Sequence, residues 1–354
     1  MHLENLRNIV ALDVVLAPGL NLFTGPNGAG KSSILEAAYL LAHAQSFRAG
    51  SADDLIRRGQ TRFAVAATIR HARGEHRTAL VREDGHWLGR LDQTTVSNLG
   101  RVLGETAVVC FEPGSHELIS GAARERRRFL DWGVFHVEQD FLAAASRYRR
   151  ALRQRNTALK HGAGNAEVAA WEQELDLAAE PVERLRAEYF NRFATALAAA
   201  LSWFIPELGQ TRIERNRGWP DEVPLTQILD QRRELDRVRG HTTRGPHRAD
   251  WTIRFMDAPR REHLSRGQEK LCALACVLAQ ASVHADSRGE WPIVVLDDMA
   301  SELDDAHQQR VLEWLDRGVE QVLISGVEIP EAIRQRAVQP QVFHVEHGNL
   351  RGLL

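Results

Sequence analysis

The sequence is poor in cysteine and has no long apolar run, and each scarcity excludes a class of protein. Its three cysteines, Cys110, Cys272 and Cys276, form no C-x-x-C pair, which argues against a metal or disulfide site and favours buried thiols in a reducing compartment. No stretch of about 18 apolar residues is present, so no membrane span is predicted. The N-terminal stretch MHLENLRNIVALD lacks the apolar segment of a signal peptide. We therefore expect a cytoplasmic protein without a membrane partner.

Lysine is almost absent, although basic residues are plentiful. It occurs only at Lys31, Lys160 and Lys270. A lysine kept in so arginine-rich a chain indicates a position that arginine cannot fill, although compositional bias would produce the same pattern. The 45 Lys and Arg residues against 47 Asp and Glu residues leave a net charge of −2, which argues neither for nor against a nucleic-acid partner. With 354 residues, 44% of them apolar, the chain is long enough for two globular domains.

The clearest motif is G-x-x-x-x-G-K-S between a predicted strand (LNLFT, residues 20–24) and a predicted helix (ILEAAYLLAHA). In that context the backbone N–H groups of the loop cradle phosphates, Lys31 reaches the β and γ oxygens, and the Ser32 hydroxyl holds Mg²⁺. A chance glycine-rich turn is the weaker interpretation. The predicted ATP-binding residues are Gly25, Pro26, Asn27, Gly28, Ala29, Gly30, Lys31, Ser32 and Ser33.

A second apolar run, PIVVLD at 292–297, predicts a buried strand that ends in an acid and continues as DMASELDD. Asp297 at the end of that strand suits a Walker B carboxylate that helps Ser32 to hold Mg²⁺. Asp298 is placed to orient or deprotonate the attacking water. Alone, an acidic loop after a core strand would explain these residues; beside a phosphate loop, we predict that Lys31, Asp297 and Asp298 are catalytic.

The stretch LSRGQEKLCALACVLAQA at 264–281 predicts a loop that turns into a helix. Ser265 and Gln268 have the spacing of a capping box, which a plain helix cap would explain. Gly267 is a poor helix former in that first turn, and it lets a ligand approach a helix N-terminus, where anions bind. We therefore regard Ser265, Arg266, Gly267 and Gln268 as a candidate phosphate-facing motif.

Between these motifs the hydrophobic pattern changes from one that predicts strands to one that predicts helices. The runs at 62–71, 77–82 and 106–111 predict an antiparallel sheet that flanks the nucleotide core. The runs at 136–160 and 167–204 predict an antiparallel pair of helices, and Pro181 is expected to kink or restart the second one. The predicted domains are an N-terminal ATPase part (1–115), a compact helical arm (116–239) and a C-terminal ATPase part (240–354).

The order of these motifs resembles the ABC-type ATPases, and other stretches narrow the resemblance to one family of bacterial proteins. The arms of the SMC and Rad50 members run to hundreds of residues, which this chain cannot hold. The chain resembles the RecF family, which is similar to Rad50 without its coiled coil. The stretches that carry the resemblance are LRNI near the start, RRFLDWGVFH (127–136), RQRNTALK (153–160), GPHRADW (245–251), LSRGQEK and LDDMASELD (296–304).

The resemblance implies a fold, a function and partners. The fold is an α/β, ABC-type (Rad50-like) P-loop ATPase head with an inserted helical arm. The function is ATP-dependent DNA binding in recombinational repair and replication restart, with weak DNA-stimulated ATP hydrolysis as a switch. The implied partners are double-stranded DNA at the edges of single-stranded gaps, RecO and RecR, which load RecA, and a second copy of the chain. A role in the SOS response is implied as well.

The same resemblance implies that residues 265–268 contact the nucleotide held by a second copy of the chain, and that Ser301 and Asp304 form a D-loop at the dimer interface. Two features depart from the ATPase pattern. Glu112 precedes Pro113 and Gly114, whereas the family usually has a proline followed by an acid, so a Q-loop role for Glu112 stays open. The predicted strand QVLIS ends at Ser325 without the histidine that transporters have there. Two other functions stay open: an ABC transporter ATPase subunit, and a scaffold that binds ATP without hydrolysing it.

Clusters of arginine are the candidates for a DNA surface. Residues 124–128 read RERRR, and Arg149, Arg150 and Arg153 fall within one turn of a predicted helix. Such a cluster suits contacts to DNA phosphates without sequence readout, although a solvated face with glutamate partners is the alternative. Arg48 is a candidate for nucleotide or DNA contact, and a plain loop arginine is an equal alternative. His247 and Arg248 have either a nucleotide-facing role or a role in folding the arm.

Overall fold

The computed structural model describes residues 1–48, 50–71, 74–258 and 263–353. Within these ranges the strands are β1 (His2–Leu6), β2 (Ile9–Asp13), β3 (Gly19–Thr24), β4 (Arg62–His71), β5 (Gly74–Glu83), β6 (His86–Leu91), β7 (Thr94–Val96), β8 (Val108–Phe111), β9 (Thr211–Asn216), β10 (Asp250–Phe255), β11 (Ile293–Leu296), β12 (Gln321–Gly326), β13 (Gln341–Glu346) and β14 (Asn349–Leu353). The helices are α1 (Lys31–His43), α2 (Gly100–Leu103), α3 (Glu117–Ser120), α4 (Ala123–Val137), α5 (Phe141–Lys160), α6 (Asn165–Phe204), α7 (Leu225–Gln231), α8 (Arg233–Arg239), α9 (Arg266–Arg288), α10 (Met299–Glu302), α11 (Asp305–Leu315) and α12 (Glu331–Arg334).

The chain divides into two compact units. The first unit is discontinuous and joins Met1–His116 to Arg266–Leu354, while the second comprises Glu117–Ser265. The first break falls one residue from the predicted boundary at 115/116. The second unit continues to Ser265, beyond the predicted boundary at 239/240, because β10 pairs with β9 over its whole length.

The first unit contains two sheets. Its core sheet has the strand order β14-β13-β3-β12-β11-β8, in which β13, β3, β12, β11 and β8 run parallel. The second sheet is antiparallel, in the order β2-β1-β4-β5-β6-β7. Helix α1 joins both sheets in one apolar core, in which Ile34 and Leu40 pack with Phe63 of β4 and Leu323 of β12. The phosphate loop therefore begins at the carboxyl end of a central parallel strand.

The prediction for residues 106–111 was wrong in its sheet. β8 pairs in parallel with β11 in the core sheet, where Val108 and Cys110 stand opposite Ile293 and Val295. The reason lies in the weak alternation of VVCF: a parallel core strand has apolar residues on both faces, so its sequence is a continuous apolar run.

The second unit is mostly helical. Helices α5 and α6 pack against each other in antiparallel fashion, with Arg147 bonded to Glu174 and Arg155 to Glu172. The predicted helix at 136–160 is in fact divided, since α4 ends at Val137 and α5 begins at Phe141.

Pro181 does not restart the second long helix, because α6 runs unbroken over 40 residues. A proline removes a single N–H donor, and the buried residues Ala178, Ala179, Val182 and Leu185 hold the chain on both sides of it. Among the described residues, no helix combines the length and the apolar character that crossing a membrane requires.

Candidate nucleotide site

The phosphate loop adopts a conformation that depends on its glycines. Gly25, Gly28 and Gly30 all have positive φ angles, of 142°, 79° and 114°. A Cβ atom at Gly25 would lie 2.3 Å from the carbonyl oxygen of Val345, so a side chain there would collide with the backbone of β13. Gly30 caps α1 without a side-chain hydrogen bond, which leaves the first N–H groups of the helix for an anion.

Lys31 lies over this loop. Its Nζ donates to the carbonyl oxygens of Gly25, at 2.8 Å, and Pro26, at 3.0 Å, and burial lowers the pKa of its ammonium. The ammonium is thus held above the loop that the sequence assigns to the phosphates.

A cavity of about 420 Å³ opens beside the loop. Its volume falls in the range of small-molecule sites, which is about 300–1,000 Å³. The residues that line it belong to the phosphate loop, the β1–β2 turn, the loop after α1 and the end of β11: Arg7, Asn8, Asn27, Gly28, Gly30, Lys31, Ser32, Ser33, Arg48 and Asp298. The structure thus brings Arg48, a candidate for nucleotide or DNA contact, and Asp298 together with the phosphate loop.

Arg7 and Asn8 also line the cavity, and the sequence does not predict this; the one signal is the stretch LRNI, which carries part of the resemblance. Arg7 forms two hydrogen bonds, of 2.5 and 3.0 Å, to Glu36, a fully buried carboxylate on α1. Ser46 also donates to Glu36 and accepts a bond from the backbone N–H of Arg48. Asn8 donates to the carbonyl oxygens of the phosphate loop. Glu36 therefore fixes two loops that present arginines to the cavity.

The two acids at the end of β11 share one partner, Ser325 at the end of β12. The Ser325 hydroxyl donates to Asp297 Oδ1 at 2.6 Å and accepts from the backbone N–H of Asp298 at 2.9 Å. Asp297 is 1% exposed, and its Oδ2 lies 3.5 Å from Arg48 Nη2. Burial, and then the charge of Asp297, raise the pKa of the Asp298 carboxyl.

The site fits a magnesium ion that is held jointly with a nucleotide. Asp297 Oδ2 is buried and accepts no hydrogen bond from any residue that the structure describes, which is the state of an oxygen that can bind a cation. No group of three or more His, Cys, Asp or Glu residues in the described ranges forms a complete metal cage. Mg²⁺ does not need one, because it binds through one or two carboxylates together with phosphate oxygens and water. Ser32 and Asp297 would hold it, and the ion would neutralise charge on the phosphates.

The candidate signature lies at the start of α9, as predicted. The helix begins at Arg266, directly after Ser265, and Ser265, Arg266 and Gly267 are exposed to solvent. Lys270 Nζ lies 2.6 Å from Glu302 Oε2 of α10, so an ion pair joins the N-terminal part of α9 to the segment of the candidate D-loop. In that loop Ser301 is exposed, and Asp304 caps α11 by accepting from the backbone N–H of His307.

Glu112 makes local contacts, because its carboxylate accepts from the backbone N–H of Gly114. His247 lies inside the second unit, where Tyr148 donates to its Nδ1 at 2.6 Å and its Nε2 donates to the Thr242 carbonyl at 2.9 Å. Burial lowers the pKa of His247 to about 4. Arg248 also bonds the Thr242 carbonyl, at 3.5 Å. These contacts favour the folding role of the GPHR stretch.

The arginine clusters differ in their surroundings. Arg126 is buried and forms two bonds to Asp250, and Arg127 donates to the Ala249 carbonyl, so part of the RERRR stretch holds the second unit together. On α5, by contrast, the three candidate arginines are exposed and form no ion pair with a carboxylate in the described ranges: Arg149, Arg150 and Arg153. The alternative, a solvated face whose arginines pair with glutamates, therefore lacks its glutamate partners among the described residues.

The fold and the site together define a class, an ABC-type P-loop ATPase head whose chain is interrupted by a helical unit. A sequence model of the RecF/RecN/SMC N terminal domain matches residues 1–349. The DNA replication and repair protein RecF of Stenotrophomonas maltophilia (strain R551-3) is 47% identical over 356 residues, which cover 99% of this chain and 98% of the relative. That of Xanthomonas euvesicatoria pv. vesicatoria (strain 85-10) is 44% identical, with 99% and 97% covered. The chain therefore belongs to the RecF/RecN/SMC family and, within it, to the RecF proteins.

Solved structures agree with this membership. The structure described as the recombination mediator protein RecF-ATP in the RecFOR pathway has a TM-score of 0.90 and 25% identity, over 100% of this chain and 96% of that one. An SMC head bound to the C-winged helix domain of ScpA has a TM-score of 0.60 and 16% identity, over 99% and 95%, which shows a shared fold.

Proposed function

We propose that the protein is an ATP-dependent DNA-binding switch of recombinational repair. ATP with Mg²⁺ binds each head, two heads then enclose two nucleotides, and the dimer holds DNA until hydrolysis releases it. The observation that carries this proposal is the cavity in which Lys31, Ser32, Arg48 and Asp298 meet beside the buried Asp297. Membership among the RecF proteins supports it.

The residues have separate roles in this proposal. In the loop formed by residues 25–33, Pro26 has no N–H group and that of Gly25 donates to the Val327 carbonyl, so the backbone N–H groups after Pro26 bind the phosphates. Lys31 neutralises the β and γ oxygens. Ser32 and Asp297 hold Mg²⁺, while Asp298, whose pKa is raised, orients the attacking water or takes its proton. Arg7 and Arg48 add positive charge at the phosphates.

Completion of the site requires a second copy of the chain. Ser265 directly precedes a helix of 23 residues that begins with Arg266, Gly267 and Gln268, and the dipole of this helix favours an anion at its N-terminus. We assign that anion as the γ-phosphate held by the other copy. Ser301 and Asp304 lie at the same dimer interface in this proposal.

The proposed partners follow from the family. The solved relative is named as a mediator of the RecFOR pathway. We propose that this chain likewise acts with RecO and RecR to load RecA at gaps, and that it supports the SOS response. Membership in the RecF proteins disfavours a transporter subunit. A measurement of ATP hydrolysis distinguishes the switch from a scaffold that binds ATP without hydrolysing it.

Steady-state phosphate release tests the proposal. Release is expected to be slow for the protein alone and to rise when gapped DNA is added, with a smaller rise for intact duplex of the same length. Turnover that ignores DNA would contradict the switch, and binding of ATP without any release would favour the scaffold.

We predict that replacing Arg149, Arg150 and Arg153 by alanine weakens DNA binding equally on all sequences. Each lost phosphate contact should flatten the slope of log K against log salt by about 0.9 on duplex DNA. Fluorescence anisotropy over a salt series measures this slope. Arg147→Ala is the matched control, because Arg147 lies on the same helix but is paired with Glu174. An unchanged slope in the triple variant would remove these arginines from the DNA surface.

A further inference from the structure

Ser325 is the penultimate residue of β12 and follows three apolar residues. It is 1% exposed, and the residues before it, Val322, Leu323 and Ile324, are buried as the core of a parallel sheet requires. Because Leu296 stands opposite Ile324 in the register of β11 and β12, Ser325 comes level with the first residue beyond β11, which is Asp297.

The hydroxyl of Ser325 donates one hydrogen bond and accepts one. It has one hydrogen to donate, and that hydrogen goes to Asp297 Oδ1 at 2.6 Å. A lone pair accepts the backbone N–H of Asp298 at 2.9 Å, and Asp298 has a φ angle of 53°, in the left-handed region that non-glycine residues rarely adopt. One side chain thus contacts both acids of the site, the first through its carboxylate and the second through its backbone.

These bonds decide how the Asp297 carboxylate is turned. Oδ1 is occupied by the hydroxyl, so Oδ2 is the oxygen left without a hydrogen-bond donor among the residues described, and it points to the side where Arg48 Nη2 lies 3.5 Å away. An apolar residue at position 325 would leave Oδ1 buried and unpaired, and the carboxylate would be free to rotate.

We propose that Ser325 is a positioning residue of the nucleotide site, whose hydroxyl occupies Asp297 Oδ1, leaves Oδ2 for the Mg²⁺ that the site would hold, and keeps the backbone of Asp298 in place. This role rests on the proposed ATP site. This role explains the serine near the end of the strand where transporters have a histidine. Ser325 contacts the two acids, whereas a histidine there would contact the phosphate.

The test compares Ser325→Thr with Ser325→Val, because threonine and valine have nearly the same shape and differ in the hydroxyl. Equilibrium binding of a fluorescent ATP analogue is measured over a Mg²⁺ series and in excess EDTA. The threonine variant should keep the wild-type Mg²⁺ requirement. The valine variant should need at least about tenfold more Mg²⁺ for half-maximal binding, since a bond to a charged group is lost. Binding in EDTA should be the same for both.

Ser282→Ala is the control for loss of a hydroxyl, because Ser282 donates within α9 to the Leu278 carbonyl. Equal Mg²⁺ requirements for the threonine and valine variants would overturn the role of Ser325. So would a loss of binding in the valine variant that is as large in EDTA as in Mg²⁺, since it would report general damage. Failure of the wild-type protein to bind the analogue at any Mg²⁺ concentration would instead contradict the proposed ATP site.

Discussion

Lys31→Arg is expected to lower ATP turnover by at least about 100-fold while weak nucleotide binding persists. The position is 5% exposed, and Nζ fits between the carbonyl oxygens of Gly25 and Pro26. A planar guanidinium is larger than an ammonium and directs its donors along fixed lines, so it cannot take the same place over the loop. Loss of one well-placed donor to developing charge lowers kcat by about 10²–10³.

Single-turnover hydrolysis and analogue binding measure the two halves of this prediction. Lys160→Arg is the matched control, because Lys160 is the exposed last residue of α5 and lies in the other unit. The control should retain full turnover. Near-normal turnover in Lys31→Arg would show that this loop is not the active site.

Ser265→Arg is expected to keep the protein monomeric in the presence of ATP and Mg²⁺. As a plain helix cap, Ser265 would contribute about 1 kcal/mol, and its loss would leave dimerisation intact. If it faces the phosphate of a second copy, the arginine blocks both symmetric sites. Moving a population from mostly monomer to mostly dimer takes about 5.5 kcal/mol of differential affinity, which such a block would largely remove.

The variant should still bind ATP in its own phosphate loop, but its turnover should no longer respond to DNA. Light scattering gives the mass, and analogue binding shows that the loop is intact. Ser202→Arg, at an exposed serine of α6, controls for the added charge. A Ser265→Arg protein that dimerises like wild type would leave Ser265 as a cap.

The sequence predicted those parts of the site that are local in the chain. The phosphate loop and α1 are contiguous, and the strand before Asp297 is a short apolar run that ends in acid, so pattern alone located both. The predicted insertion of a helical arm at 116–239 lies within the second compact unit, Glu117–Ser265, except for its first residue.

What the sequence could not predict depends on contacts between distant residues. Arg7 reaches Glu36 across 29 positions, and Arg126 reaches Asp250 across 124, so no spacing rule separates a site arginine from a structural one. Ser325 is 28 residues from Asp297, and its role depends on the register of two parallel strands. The sheet of β8 was assigned wrongly for the same reason, since a short apolar run does not specify its neighbour.

The central claim is that ATP drives two copies of the chain together, and the mass of the wild-type protein in solution tests it most directly. Light scattering is measured with Mg²⁺ and a non-hydrolysable ATP analogue, with ADP, and without nucleotide, each with and without gapped DNA. We predict twice the mass of one chain with the analogue, stabilised further by DNA, and the mass of a single chain with ADP or no nucleotide. The same mass in all nucleotide states, whether of one chain or of two, would contradict the account.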